Sequence, residues 1–110
     1  MELPDLEPHA YQSLLKLGGK KKLDTLLDLL KANGHERVKE LQHTADLSEA
    51  KAAARPLKSS AANLGLAALE DVCDQILAAK TWSLKHPLSL EAEAKLRKGL
   101  ALLIQARAGL

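Results

Sequence analysis

Phenylalanine is absent from this chain, and Tyr11 and Trp82 are its two aromatic residues. Such a set offers no platform on which nucleobases could stack. Strand-favouring residues are scarce throughout, whereas Leu occurs 25 times and Ala 18 times, which favours helices and excludes an all-β fold. The single cysteine, Cys73, excludes an internal disulfide. No Cys/His cluster has metal-ligand spacing, so no metal and no cofactor is expected. No uncharged run approaches the ~20 apolar residues needed to cross a bilayer, and the opening MELPDLEP is acidic and lacks an apolar signal core. The expectation is a soluble, cytoplasmic protein with no membrane partner. An excess of one charge is also missing. Sixteen basic against fourteen acidic residues leave +2, too small a surplus to imply a nucleic-acid partner. A chain of 110 residues has room for one domain, residues 1–110, around one core.

Punctuation divides the chain into helical segments. A short N-terminal helix is predicted over about residues 5–17, with Pro8 in its first turn and Gly18 and Gly19 at its end. Leu23, Leu26, Leu27 and Leu30 recur at three-four spacing and form one stripe, which predicts an amphipathic helix over about 20–32. Val38, Leu41 and Ala45 continue that rhythm, so Asn33 and Gly34 predict a bend within a nearly continuous helix. Asp46 and Glu49 resemble a capping box that starts a helix near residue 47. Its stripe is Ala50, Ala54, Leu57, Ala61 and Leu64, and Gly65 supplies a left-handed stop. Within it, Pro56 predicts a kink or a helix start. Leu66, Leu69, Cys73 and Ile76 line a segment over 66–80. Residues 81–87 have no period and read as a loop, with Trp82 either covering one end of the bundle or exposed to a partner. Ser89 is predicted to cap a last helix with the stripe Leu96, Leu100, Leu103 and Ile104, and Arg107 suits its negative end. Each stripe can be covered only by the others. The predicted fold is all-α, an antiparallel four-helix bundle with a short extra N-terminal helix.

Opposite the Leu57/Ala61/Leu64 stripe, helical projection places Arg55 together with Ser48, Lys51, Ala52, Lys58, Ser59 and Ala62. This face carries three cations, no acid and otherwise small side chains. A solvated basic face is the plainest reading of that pattern.

The stretch AARPLKSSAANLGLAALEDVCDQI, residues 53–76, resembles the central motif of histidine-containing phosphotransfer (HPt) domains. Leu57, Lys58, Ser60, Asn63, Leu64, Gly65, Leu69 and Cys73 fall in register with it, and weaker similarity reaches upstream through LGGKKKLDTLLDLL and the Asp46 joint. The resemblance implies an HPt-like four-helix bundle of the kind that moves phosphoryl groups between receiver aspartates in two-component phosphorelays. It also implies that Lys58 lies beside the phosphoryl position. The chain departs from the family at the decisive residue, because Arg55 stands where the phospho-accepting histidine belongs. Neutral imidazole offers a lone pair near pH 7, and a guanidinium, protonated at every relevant pH, does not. Ser59 stands where the family often has glycine.

What carries over is therefore a docking surface without its reaction. The expected partner is a response-regulator receiver domain or a hybrid histidine kinase, met by Arg55, Lys58, Lys51, Ser59, Ala62, Ser48 and Ala52. No catalytic residue is assigned and no enzyme is expected, since Ser59 and Ser60 have no Asp/His partner at helical spacing. Of the four histidines, His9, His35, His43 and His86, none falls in the segment 47–64, and each reads first as a surface residue. His43 is retained as an alternative phosphate acceptor. A structural or dimerising bundle is the remaining alternative. Asn63 and Gly65 read as a helix stop, and Cys73 as a small core residue.

Overall fold

The computed structural model describes residues 3–108. Those residues are all-helical, with four helices and no strand: α1 (Pro8–His43), α2 (Leu47–Leu64), α3 (Ala67–Ala78) and α4 (Pro87–Ala108). α1 packs on α2 and α4, and α3 packs on the same two, so the helices close a bundle-like ring. No helix among the described residues is long and apolar enough to cross a membrane.

Leucine fills the space that a Phe-poor sequence leaves to it. Leu23, Leu27, Leu30 and Leu41 of α1, Leu57 and Leu64 of α2, Leu69, Val72 and Ile76 of α3, and Leu96 and Leu103 of α4 are almost fully buried. Alanines complete the inner side of α2 (Ala50, Ala53, Ala54 and Ala61), which lets neighbouring helices approach closely. In α4 the buried line runs through Ser89, Ala92, Leu96, Gly99, Leu100 and Leu103, and a Cβ at Gly99 would stand 2.8 Å from the Leu66 side chain. Ile104, expected in the stripe, is partly exposed at its edge.

The first helix starts a few residues later than the sequence suggests and is interrupted where its glycines predict. It begins at Pro8, with Glu7 as N-cap accepting from the His9 N–H. Gly19, at φ 67° and ψ −167°, is non-helical and kinks α1, so two helical stretches meet across it at the glycines that the sequence reads as a helix end. Only glycine occupies that region without strain. The helix is continuous through Asn33 and Gly34, as the apolar rhythm of Val38 and Leu41 implies. Gly34 is buried, and a Cβ there would stand 3.1 Å from Leu96, so this glycine serves contact with α4 instead of a break.

The joints follow hydrogen-bond demand. The Glu49 N–H donates to Asp46 at 2.8 Å and starts α2, but the Glu49 carboxylate accepts from the Thr44 hydroxyl and not from Asp46. Pro56 lies inside α2, which neither starts nor ends there. Gly65, at φ 76°, stops α2, and the Leu66 N–H returns to the Ala61 carbonyl. Trp82 covers the end of α1: its Nε1 donates to the Leu41 carbonyl, and its ring stacks on His86 at 4.3 Å. It is half-buried there, not an exposed anchor. Ser89 does not cap α4. Pro87 takes the first helical position, which suits its missing N–H, and His86 Nδ1 accepts from the Leu88 N–H. Ser89 is buried one turn in and donates back to the His86 carbonyl.

The two adjacent glycines provide a matched test. Gly19→Ala forces a non-glycine residue into a forbidden region and is expected to cost about 1–3 kcal/mol in urea unfolding. Gly18→Ala would set a Cβ 2.5 Å from the Lys22 Cβ, an atom fixed to its backbone, and is expected to destabilise as well, by overlap instead of by backbone conformation.

Candidate functional site

α2 turns one side to the core and the other to solvent. Its inner side is the alanine and leucine line above, and its outer side holds Ser48, Ala52, Arg55, Ser59 and Ala62, all exposed, with Lys51 and Lys58 half-buried. The seven residues grouped by helical projection are thus brought onto one face. Arg55 stands in mid-helix, and neither it nor Lys51 has an ion-pair partner among the described residues.

Lys58 differs from both. Its ammonium reaches across to α3 and meets Asp74 at 2.6 Å, with the two side chains 40% and 49% exposed. The hydrogen bond to Asp74 raises the Lys58 pKa above its ordinary value, aided by the charges of Asp74 and then Glu70. Lys58 is thus paired across to α3, a contact on which the sequence alone is silent.

The structure adds two grooves that sequence reasoning did not find, one at each end of this face. Beyond Ala62 and Asn63, about 10 Å along the helix from Arg55, a groove is lined by Ser13, Leu14, Leu17, Lys22 and Leu26 of α1. Leu17 is 81% exposed. Lys16, Lys20, Lys21 and Lys22 surround it, and no acid occurs between Glu7 and Asp24. That sixteen-residue stretch without an acid was the available signal. At the opposite end, beside Ala52, a groove is lined by Glu40, His43, Thr44 and Glu49. The face therefore runs from an acidic end, past Arg55, to a cationic end with an exposed leucine.

The histidines lie away from its centre. His9 and His35 are exposed on α1, and His86 is held between Trp82 and the start of α4. His43, in the last turn of α1, directs Nδ1 at the Lys39 carbonyl at 2.8 Å. Since a carbonyl only accepts, Nδ1 carries the hydrogen of that bond. Asn63 and Gly65 end α2, as any helix stop of this type would.

Cys73 lies behind the face, in the core. Burial pushes its thiol up to about 12, with the charge of Asp74 adding to the effect. A thiol so placed stays protonated and is neither nucleophile nor metal ligand.

No protein-family model matches the chain, and neither a curated protein nor a solved structure is detectably similar to it.

The Cys73 shift fixes a pH dependence. A folded value of about 12 against an ordinary 9.0 means that the folded state binds the proton more tightly. The associated stability is complete below pH 9 and is lost as pH rises from there toward 12. Urea midpoints measured across this window are expected to fall more steeply for the wild type than for Cys73→Ala. Native Cys73 should also resist iodoacetamide at pH 8 and react once the chain is unfolded.

Proposed function

We propose that the chain is an HPt-like module of two-component signalling, an antiparallel four-helix bundle that docks on a receiver domain or hybrid histidine kinase without accepting phosphate. It is a cytoplasmic modulator of a phosphorelay, acting by occupancy and not by turnover, and not an enzyme. The observation that carries this reading is Arg55, exposed at mid-α2 without an ion-pair partner among the described residues, at the position where the motif it resembles has histidine.

Receiver domains of that system present a carboxylate pocket to their phosphotransfer partners. A guanidinium offers such carboxylates a planar, five-donor fork, and each bond is charge-assisted. Small neighbours on the same face, Ala52, Ser59 and Ala62, leave room for a partner backbone to approach. The groove of Leu14, Leu17 and Leu26 beyond Ala62 supplies an apolar contact to the same partner, and its lysines favour an acidic one. Phosphoryl transfer does not follow, because Arg55 has no lone pair with which to attack.

One observation supports the alternative of phosphotransfer through His43, namely that Nδ1 is held by the Lys39 carbonyl and Nε2 is left as the ring nitrogen that could meet a phosphoryl group. Against it, Glu40 and Glu49 line the same groove, and like charge there disfavours an incoming phosphoryl dianion.

Binding to receiver domains of the same organism is expected to weaken as salt rises. Arg55→Glu is expected to weaken it by about tenfold or more, roughly 1.4 kcal/mol per decade. Calorimetry or a pull-down at two ionic strengths reads both. Equal affinity in the variant overturns the docking face. Acid-labile phosphate that appears on wild type and disappears in His43→Ala would replace the occupancy reading with transfer.

A further inference from the structure

Three cations share the outer side of α2, but only one of them is tied down. Lys58 follows Arg55 by one helical turn, which puts their Cβ atoms roughly 5–6 Å apart, close enough to grip one anionic group together. Instead, Lys58 is drawn sideways to Asp74 on α3 at 2.6 Å. α3 carries Glu70, Asp71 and Asp74 and no lysine or arginine, so Asp74 has no cation of its own helix to turn to. Asp71 is bonded to Gln75. Both partners of the Lys58–Asp74 pair are substantially exposed. Ion pairs of that kind are weak, and a competing anion can displace one of them.

We infer that Asp74 gates the docking face: it holds Lys58 in an internal ion pair, so that an anionic partner meets Arg55 first and gains Lys58 only by displacing the Asp74 carboxylate. The inference rests on reading this face as a docking site for an anionic partner. It assigns Asp74 a positioning role that limits affinity and favours partners of higher negative charge. A partner bearing one carboxylate engages Arg55 and leaves the internal pair intact. A dianion or a cluster of carboxylates recruits both cations.

The test uses inorganic phosphate as the anion, so that it does not depend on which receiver is chosen. Amide and side-chain NMR shifts of Arg55 and Lys58 are followed through a phosphate titration in wild type, Asp74→Asn, Asp71→Asn, Lys58→Gln and the Lys58→Gln/Asp74→Asn double variant. Asp74→Asn is expected to tighten phosphate by about three- to tenfold, the gain of one charge-assisted contact. Asp71→Asn removes the same charge from the same helix and is expected to change affinity less than about twofold. In the Lys58→Gln background the benefit of Asp74→Asn should vanish. The gate is overturned if Asp71→Asn matches Asp74→Asn, if the benefit survives without Lys58, or if no variant binds phosphate. A receiver that binds through Arg55 while Asp74→Asn leaves phosphate affinity unchanged overturns the gate alone. Gated phosphate binding with no receiver bound overturns the docking reading alone.

Discussion

A helix at the edge of a ring can bury only one side, and this constraint decides where α2 places its charge. Its inner side is alanine and leucine, small enough to let α1 and α3 come near. Desolvating a guanidinium or ammonium against that side would cost several kcal/mol without a partner to compensate. Arg55, Lys51 and Lys58 are therefore directed outward by the packing of Ala54, Leu57 and Ala61, whatever use is made of them. The core sets the orientation, and the surface inherits it.

The chemistry of the face follows from that orientation together with the identity of one side chain. An imidazole in the same seat would combine a lone pair with exposure, which is the requirement for a covalent phosphate carrier. Arginine keeps the exposure and forgoes the lone pair, so what it retains is recognition of anions. Acidic side chains at one end, among them Glu40 and Glu49, and lysines around Leu17 at the other give the surface a direction. A partner of uneven charge would settle on it in one orientation, which is how charge placement sets register at an interface.

Local rules made much of this legible in advance. The Asp46 cap, the Gly65 stop and the buried stripes of α2 and α3 depend on residues within a few positions of one another, and the sequence displays them side by side. What could not be read depends on partners far along the chain. Gly34 passes for a breaker until Leu96 is seen against it. Lys58 shows no partner until Asp74, sixteen residues on and in another helix, is brought to it. Trp82 has two equal readings until the Leu41 carbonyl at the end of α1 gives its indole a place. Ser89 passes for a cap because serine favours that position, until His86 is seen to accept from the Leu88 N–H in its place.

The break at Gly19 has a consequence of scale. A straight helix of 36 residues would be about 54 Å long, and the longest dimension of the described molecule is 42 Å. Unbroken, α1 would overhang its companions; kinked at one glycine, its first stretch meets the end of α2, where the Glu7 N–H donates to the Gly65 carbonyl and Leu14 shares a groove with Ala62 and Asn63. Everything upstream of that point is also uncoupled in phase from the helix that follows. Residues added or lost before Gly19 would reshape the leucine-and-lysine rim without rotating Leu23, Leu27, Leu30 and Leu41 out of the interior. The rim is thus a region whose surface can drift while the scaffold stays fixed.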